Sequence, residues 1–116
     1  MKTILIVDDE QEMAQSLGRI IERKGEKALI ASTGEEALKL YKENKPDCVF
    51  LDLHLSEVKG TEVLEKLKSI DAQVKAYFIT GDQIFVEKQP PESIGVMGYL
   101  LKPIDVEDVV KIIESL

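Results

Sequence analysis

The stretch from Cys48 to Leu55 constrains the fold of this chain more than any other. It follows Pro46-Asp47 and begins with four uncharged residues, three of them bulky, that lead directly into Asp52. Such a run is typical of a central strand in a parallel sheet, where both faces are covered. A lone buried carboxylate is costly, so we expect Asp52 at the carboxyl end of this strand. Open α/β sheets gather their ligands at that edge.

Other short apolar segments predict further strands, and helical patterns separate them. We expect strands at Thr3–Val7, Lys27–Ala31, Val74–Thr80 and Tyr99–Leu101, with the weakly hydrophobic Lys27–Ala31 at a sheet edge. Apolar residues recur at helical spacing in four segments, which are Met13–Ile21, Ala37–Tyr41, Val63–Ile70 and Val106–Leu116. Strands that alternate with helices in this way predict an α/β domain with a doubly wound, five-stranded parallel sheet.

Local signals mark several helix ends. Gly25 is expected to close the first helix, because glycine readily adopts the left-handed conformation found there. Thr33 and Glu36 have the spacing of a capping box at the start of the second helix. Thr61 is a candidate cap for the third.

One crossover segment, residues 83–97, does not favour a regular helix. Pro90-Pro91 lies in its middle, and proline inside a helix costs on the order of 3 kcal/mol. Gly95 and Gly98 weaken the remainder. We expect a short or broken fourth helix, or a loop, and a mobile surface.

Composition limits the possible functions. The 116 residues suit one domain, 1–116, and 44% hydrophobic with 32% charged residues is globular. A net charge of −7 argues against a nucleic-acid-binding surface. The single Cys48 excludes an internal disulfide and is expected in the core. The sequence contains no apolar span of about 18 residues and no signal peptide, so we expect a cytoplasmic protein that does not bind membranes.

Polar residues follow four of the predicted strands. Asp8 and Asp9 follow the first, Asp52 ends the third, Thr80 ends the fourth and Lys102 follows the fifth. If these strands are adjacent, the side chains converge at one edge of the sheet. Three carboxylates together favour a hard divalent cation, and Mg²⁺ is the natural candidate. Asp52 could then act as a nucleophile towards a phosphoryl group, held by a hydroxyl and an ammonium.

The same residues, in this order at the strand ends, resemble the receiver domain of two-component response regulators over the whole chain. The resemblance implies a flavodoxin-like fold, like that of the chemotaxis regulators, with strand order 2-1-3-4-5. It implies that Asp52 is the phosphoacceptor, that Thr80 and Lys102 hold the phosphoryl group, and that the chain is a signalling protein rather than an enzyme. By this resemblance, the domain would catalyse only its own Mg²⁺-dependent phosphorylation and dephosphorylation at Asp52.

The resemblance also implies finer roles. Asp9, Asp52 and the backbone carbonyl of His54 would bind Mg²⁺ directly, and Asp8 largely through metal-bound water. Thr80 and Tyr99 would form the switch, and Gly81 would leave access to Asp52. The Lys102-Pro103 peptide bond would be cis, which proline permits at low cost. His54 and Asp82 would flank the phosphoryl group and tune its loss to water.

Two features depart from the family pattern. Ser56 stands where the family usually has proline, four residues after the phosphoacceptor, so that loop is expected to be looser. The Pro90-Pro91 break falls in the fourth helix, part of the face through which many receivers signal. The usual readout through that helix is therefore in question.

Partners follow from the resemblance. The phosphoryl donor would be a histidine kinase or a phosphotransfer protein, and the output a downstream protein or an effector domain. The domain would be a monomer or a phosphorylation-dependent homodimer. A phosphorylation-independent pseudo-receiver, acting only as a protein-binding module, is the alternative. A metal-dependent phosphatase is disfavoured, because Asp52-Leu53-His54 lacks the second aspartate that such enzymes use as acid and base.

Overall fold

The computed structural model describes residues 1–116 and shows strands alternating with helices along the chain. The strands are β1 (Thr3–Val7), β2 (Lys27–Ala31), β3 (Cys48–Asp52), β4 (Ala76–Thr80) and β5 (Gly98–Leu101). The helices are α1 (Gln11–Arg23), α2 (Gly34–Asn44), α3 (Gly60–Ile70), α4 (Gln83–Lys88), α5 (Pro91–Ile94) and α6 (Val106–Ser115). Strand β4 starts two residues later than predicted, and β5 one residue earlier.

The five strands form one parallel sheet in the order β2-β1-β3-β4-β5. This confirms the doubly wound architecture and the edge position of β2. Strand β3 lies at the centre, and all five of its residues are buried. In its register with β4, Asp52 lies beside Ile79. The last residue of β3 therefore stands at the carboxyl edge, next to the end of β4.

Alternation along the strands produces a core on each face of the sheet. Leu5 and Val49 point to one face, where they join a cluster that includes Leu64 of α3. Ile4 and Phe50 point to the other, in a cluster with residues of α1 and α6. Helices α2 to α5 thus cover one face and α1 and α6 the other, as expected for a parallel sheet buried on both sides.

The structure confirms two of the predicted helix ends and corrects one. Gly25 follows α1 with a φ of 82°. The Thr33 hydroxyl oxygen accepts a hydrogen bond from the Glu36 N–H at 3.1 Å, and so caps α2. The prediction that Thr61 caps the third helix was wrong: α3 begins at Gly60, after Lys59. The Gly60 N–H instead donates to the Leu53 carbonyl at 2.9 Å, which ties the helix start to the end of β3.

The predicted break in the fourth crossover is present. Residues 83–97 contain two short helices, α4 and α5, which are separated at Gln89-Pro90. Pro91 opens α5 at the first helical position, where its missing N–H would have had no partner in any case. Neither helix contains a fully buried residue, so this crossover covers the sheet less completely than α2 or α3.

None of the helices combines the length and the apolar character that crossing a bilayer requires.

Candidate functional site

The parallel sheet brings the ends of four strands to one edge. Asp8 directly follows β1, Asp52 ends β3, Thr80 ends β4 and Lys102 directly follows β5. Asp8, Asp52 and Thr80 are buried, with exposed fractions of 1%, 3% and 1%. Buried polar side chains are uncommon unless they are paired or functional, so this edge is the candidate site.

Asp52 is held from two sides. Its Oδ1 accepts a hydrogen bond from the His54 N–H at 3.0 Å, because the chain turns directly after β3. Its Oδ2 lies 3.7 Å from the Lys102 Nζ. The backbone contact orients the carboxylate through Oδ1, and the Lys102 ammonium lies within ion-pair distance of Oδ2.

A cluster of three carboxylates surrounds this position. Oxygens of Asp8, Glu10 and Asp52 all lie within 4.8 Å of one another. Asp8 Oδ1 accepts from the Glu10 N–H at 2.9 Å, whereas its Oδ2 is buried without any hydrogen-bond partner. Burial raises the pKa of Asp8 to about 6, and the charge of Asp52 adds to the rise. A buried carboxylate oxygen that lacks a donor is a suitable ligand for a cation.

Glu10 was not predicted as a site residue. It is exposed, and its Oε1 lies 3.5 Å from the Lys102 Nζ. The signal was present as the third acid of the run Asp8-Asp9-Glu10. The run alone does not reveal which of its members turns towards Asp52, since that depends on the path of the chain after β1.

Asp9 is predicted as a direct metal ligand, but the structure does not bring its carboxylate into the cluster. Asp9 Oδ2 instead accepts hydrogen bonds from both the backbone N–H of Ser56, at 2.8 Å, and the Ser56 hydroxyl. These bonds lower the pKa of Asp9. Ser56 belongs to the loop between β3 and α3, so Asp9 connects two loops at the site edge.

Thr80 and the two candidate tuning residues are connected. The Thr80 hydroxyl oxygen accepts a hydrogen bond from the Asp82 N–H at 2.9 Å. Asp82 Oδ1 in turn accepts from the Phe85 N–H at 3.0 Å, which caps α4. Asp82 Oδ2 lies 3.6 Å from His54 Nε2, so these two side chains meet across the outer side of the site.

The backbone of His54 and the region around Gly81 are also defined. His54 pairs with Lys59 in an isolated antiparallel bridge, which closes the loop after β3. A side-chain carbon added at Gly81 would meet only the Lys102 Cβ, at 3.9 Å. Gly81 is thus a position beside the site where the chain leaves open space.

Strand β5 supplies the remaining predicted residues. The Lys102-Pro103 peptide bond is cis. The half-buried ring of Tyr99 stacks on Phe78 at a centroid distance of 6.5 Å and meets Phe85 edge-on at 6.2 Å. Its hydroxyl donates to the Gln89 carbonyl, at the break between α4 and α5. Tyr99 therefore joins the end of the sheet to the irregular crossover.

The charges at this edge are unbalanced. The acidic cluster has one ammonium, Lys102, within 4 Å of two of its members. The remaining negative charge and the all-oxygen set of donors suit a hard divalent cation rather than a transition metal. Chemically, the arrangement combines a buried carboxylate, an ammonium and a set of carboxylate oxygens of the kind that suits a cation.

Comparison with known proteins bears on this arrangement. A family profile that describes the response regulator receiver domain matches residues 4–114. Sporulation initiation phosphotransferase F of Bacillus subtilis is 27% identical over 106 residues, which cover 91% of this chain and 86% of that protein. The transcriptional regulatory protein PhoP for alkaline phosphatase synthesis, from the same organism, is 33% identical over 108 residues. The match covers 93% of this chain but only 45% of PhoP.

Solved structures of response regulators also resemble this chain. A CheY-like response regulator receiver domain protein from Methanospirillum hungatei superposes with a TM-score of 0.84 at 28% identity, covering 99% of this chain and 92% of that one. The chemotaxis protein CheY4 of Vibrio cholerae gives a TM-score of 0.90 at 22% identity, over 99% of this chain and 98% of that one. The second likeness concerns the fold alone.

Proposed function

This chain belongs to the receiver domain family of two-component response regulators, and we propose on that premise that Asp52 accepts a phosphoryl group. One observation carries the proposal. The buried Asp52 carboxylate lies within 4.8 Å of two other carboxylates and 3.7 Å from the Lys102 ammonium. Such a concentration of charge at a sheet edge is costly for folding, and it is explained by a function that needs a cation and an anionic group there.

The proposed reaction transfers a phosphoryl group from a phosphohistidine donor. The nitrogen–phosphorus bond of the donor breaks, a bond forms between phosphorus and an Asp52 carboxylate oxygen, and the donor imidazole leaves with the electron pair. The His54 N–H on Oδ1 supports this role, because it orients the carboxylate with Oδ2 towards Lys102. Lys102 would then pair with an oxygen of the arriving phosphoryl group.

The donor set of the site fits Mg²⁺. The buried Asp8 Oδ2 lacks a hydrogen-bond partner and would gain one favourable contact with a cation. We propose that Asp8, Asp9, Asp52 and the His54 carbonyl hold the ion, and that Glu10 is a further candidate ligand. Bound Mg²⁺ would supply positive charge that offsets the carboxylates and the phosphoryl oxygens.

The proposed switch involves Thr80 and Tyr99. Thr80 would exchange its contact with the Asp82 N–H for a hydrogen bond to the phosphoryl group. Asp82 also caps α4, so a change at Thr80 would reach the irregular crossover that Tyr99 contacts. Phosphorylation would thereby bias an equilibrium between two conformations of this surface. His54 and Asp82, 3.6 Å apart, would limit the access of water to the phosphoryl group.

The proposed donor is a histidine kinase or a phosphotransfer protein, and we expect the domain in the cytoplasm, unattached to membranes and without direct binding to nucleic acid. The output would be a downstream protein or an effector domain. The chain spans 86% of sporulation initiation phosphotransferase F but only 45% of PhoP. In solution the domain would be a monomer, or a homodimer that depends on phosphorylation.

Intact-mass measurement tests the proposal. The protein is incubated with acetyl phosphate, with and without Mg²⁺, as wild type, as Asp52→Asn and as Asp108→Asn. Asp108 is exposed in the first turn of α6 and serves as the matched control. We expect a gain of one phosphoryl group that requires Mg²⁺, persists in Asp108→Asn and disappears in Asp52→Asn.

A wild-type protein that gains no phosphoryl group and binds neither Mg²⁺ nor beryllofluoride would refute the proposal. The chain would then be a pseudo-receiver that binds partners independently of phosphorylation. Modification that persists in Asp52→Asn would instead show that another residue is the acceptor.

A further inference from the structure

The contact between Asp9 and Ser56 joins two loops that are far apart in the sequence. Asp9 lies between β1 and α1, whereas Ser56 lies 47 residues later, between β3 and α3. Both Ser56 donors, its backbone N–H and its hydroxyl, reach the same oxygen, Asp9 Oδ2. This double contact determines which way the Asp9 carboxylate points.

The loop that carries Ser56 does not depend on this contact. Its base is closed by the bridge between His54 and Lys59 and by the hydrogen bond from the Gly60 N–H to the Leu53 carbonyl. Ser56 itself is exposed at the outer part of the loop. Releasing Asp9 from Ser56 would therefore cost only the two hydrogen bonds between these residues, because the base of the loop stays closed.

The acidic cluster does not include Asp9. The oxygens that approach one another are those of Asp8, Glu10 and Asp52, and Asp9 is not among them. A divalent cation at this cluster attracts every nearby carboxylate, and Asp9 is adjacent to Asp8 in the chain. No oxygen of Asp9 belongs to the cluster in this arrangement, so Asp9 can join the cation only if its carboxylate moves, and that movement strains the two hydrogen bonds to Oδ2 from Ser56.

We propose that Ser56 competes with the divalent cation for Asp9 and thereby weakens metal binding at the site. The inference rests on the proposed function, since it takes the cluster as a Mg²⁺ site with Asp9 as a ligand. Metal binding would release the Ser56 contact, so the loop between β3 and α3 would report on the state of the site. Ser56 is in this sense a positioning residue that acts through Asp9.

Substitutions at Ser56 provide a graded test. Ser56→Ala removes the hydroxyl but keeps the backbone N–H, whereas Ser56→Pro removes both donors. Ser32→Ala is the matched control, because Ser32 is an exposed serine beside the same pocket and its side chain makes no hydrogen bond with Asp9. Each protein is titrated with MgCl₂ at constant ionic strength, and the dissociation constant is read from NMR amide shifts.

We expect Ser56→Ala to bind Mg²⁺ about three- to tenfold more tightly than wild type, and Ser56→Pro at least as tightly as Ser56→Ala. Ser32→Ala should bind like wild type. The Ser56 amide resonance of the wild-type protein should also move during the titration, as its hydrogen bond to Asp9 is lost. In an Asp9→Asn background, Ser56→Ala should no longer change the affinity, because the carboxylate for which Ser56 and the cation compete is gone.

Unchanged or weaker binding in Ser56→Ala, with normal binding by wild type, would overturn this inference and leave the proposed function intact. Weaker binding would mean that Ser56 orients Asp9 towards the cation. Failure of wild type and of both Ser56 variants to bind Mg²⁺ would instead defeat the metal site itself, and the inference with it. Circular dichroism of each variant confirms that the comparison is made between folded proteins.

Discussion

Among the residues of the site, Asp8 is the one whose buried charge is least compensated by hydrogen bonds. Its carboxyl group is buried, and one of its oxygens has no donor. Burial is the main reason that its pKa is raised to about 6, and repulsion from Asp52 is a further one. When Asp8 is protonated it can donate a hydrogen bond to Asp52, which removes part of that cost. A cation would remove it in another way.

The raised pKa of Asp8 makes the stability of the metal-free protein depend on pH. Because this pKa lies above its ordinary value of 3.8, the folded protein holds the proton more tightly than the unfolded chain does. The contribution to stability is therefore fully present below that ordinary pKa and is lost as the pH rises through about 6. A shift of this size corresponds to about 3 kcal/mol, since each unit is about 1.4 kcal/mol.

We expect Asp8→Asn to raise the free energy of unfolding at pH 7 by about 1–3 kcal/mol in the presence of a chelator, because the buried charge is removed. Between the ordinary pKa of 3.8 and the raised pKa of about 6, the free energy of unfolding of this variant should also change less with pH than that of wild type. Urea unfolding at a series of pH values measures both effects. Asp108→Asn, on an exposed position of α6, should behave like wild type. An Asp8→Asn variant that is no more stable than wild type at pH 7 would contradict this explanation.

Gly60 is the position where the backbone around Asp52 is most sensitive to a side chain. An added Cβ would lie 2.5 Å from the Asp52 carbonyl oxygen and 2.9 Å from the Leu53 Cα. Both contacts are with backbone, which cannot turn aside as a flexible side chain would. Gly60→Ala should therefore displace the start of α3 or the end of β3, and Asp52 with it.

We expect Gly60→Ala to lower the free energy of unfolding by about 2 kcal/mol or more and to slow phosphorylation by acetyl phosphate. Gly18→Ala is the control, since its Cβ would make ordinary contacts of 3.7 Å with Ala28 and Ile30. In the interior of α1 that substitution should stabilise the protein by about 0.5–1 kcal/mol. Urea unfolding compares the two. Equal free energies of unfolding for Gly60→Ala and Gly18→Ala would show that the contacts at Gly60 relax without cost.

The crossover between β4 and β5 is the element that differs most from a regular helix. Pro90-Pro91 divides it into α4 and α5, and no residue of either helix is fully buried. Its attachment to the sheet therefore depends on a few contacts. Phe85 and Ile94 pack against the core at its edge, and the Tyr99 hydroxyl bonds to the Gln89 carbonyl at the break.

Tyr99→Phe should loosen this crossover while leaving the aromatic stacking in place. We expect a loss of about 1 kcal/mol in global stability, the usual value of one hydrogen bond. Amide hydrogen exchange should become faster in residues 83–94 and remain unchanged in α2 and α3. Hydrogen exchange followed by mass spectrometry measures this. Tyr77→Phe is the control, because Tyr77 lies against Phe50 on the other face of the sheet. A uniform increase in exchange in both variants would contradict a local role for the Tyr99 hydroxyl.

The whole molecule carries a net charge of −7, and part of that charge is concentrated at one edge of the sheet. General screening by salt acts on all of these charges. A bound divalent cation acts on the cluster alone. The two effects can therefore be separated by their dependence on the kind of ion rather than on ionic strength.

We expect millimolar MgCl₂ to raise the melting temperature by several degrees above that in NaCl of equal ionic strength. A ligand at about 100 times its dissociation constant stabilises the folded state by about 2.7 kcal/mol. Differential scanning calorimetry over a range of Mg²⁺ concentrations measures the rise, which should shrink in Asp52→Asn and reverse with a chelator. Equal melting temperatures in the two salts would show that the cluster does not bind Mg²⁺ in the folded state.

Much of this architecture can be predicted from the amino-acid sequence alone. The apolar runs ending at Val7, Asp52, Thr80 and Leu101 predicted four strands of the sheet, because hydrophobic periodicity reports directly on burial. Pro90-Pro91 predicted the break in the fourth crossover, because proline excludes a regular helix whatever surrounds it. Strand ends in a parallel sheet share an edge, so the pattern predicted that Asp8, Asp52, Thr80 and Lys102 converge if their strands are adjacent, whereas the strand order itself came from the family resemblance.

Other properties depended on contacts that form only in the folded protein. The orientation of Asp9 is set by Ser56, the start of α3 by the bond between Gly60 and Leu53, and the entry of Glu10 into the cluster by the turn after β1. A side chain selects among rotamers of similar energy according to the donors and charges within a few ångströms. Local sequence encodes burial and backbone preference, whereas the direction of each carboxylate is decided only when distant loops meet in the folded protein.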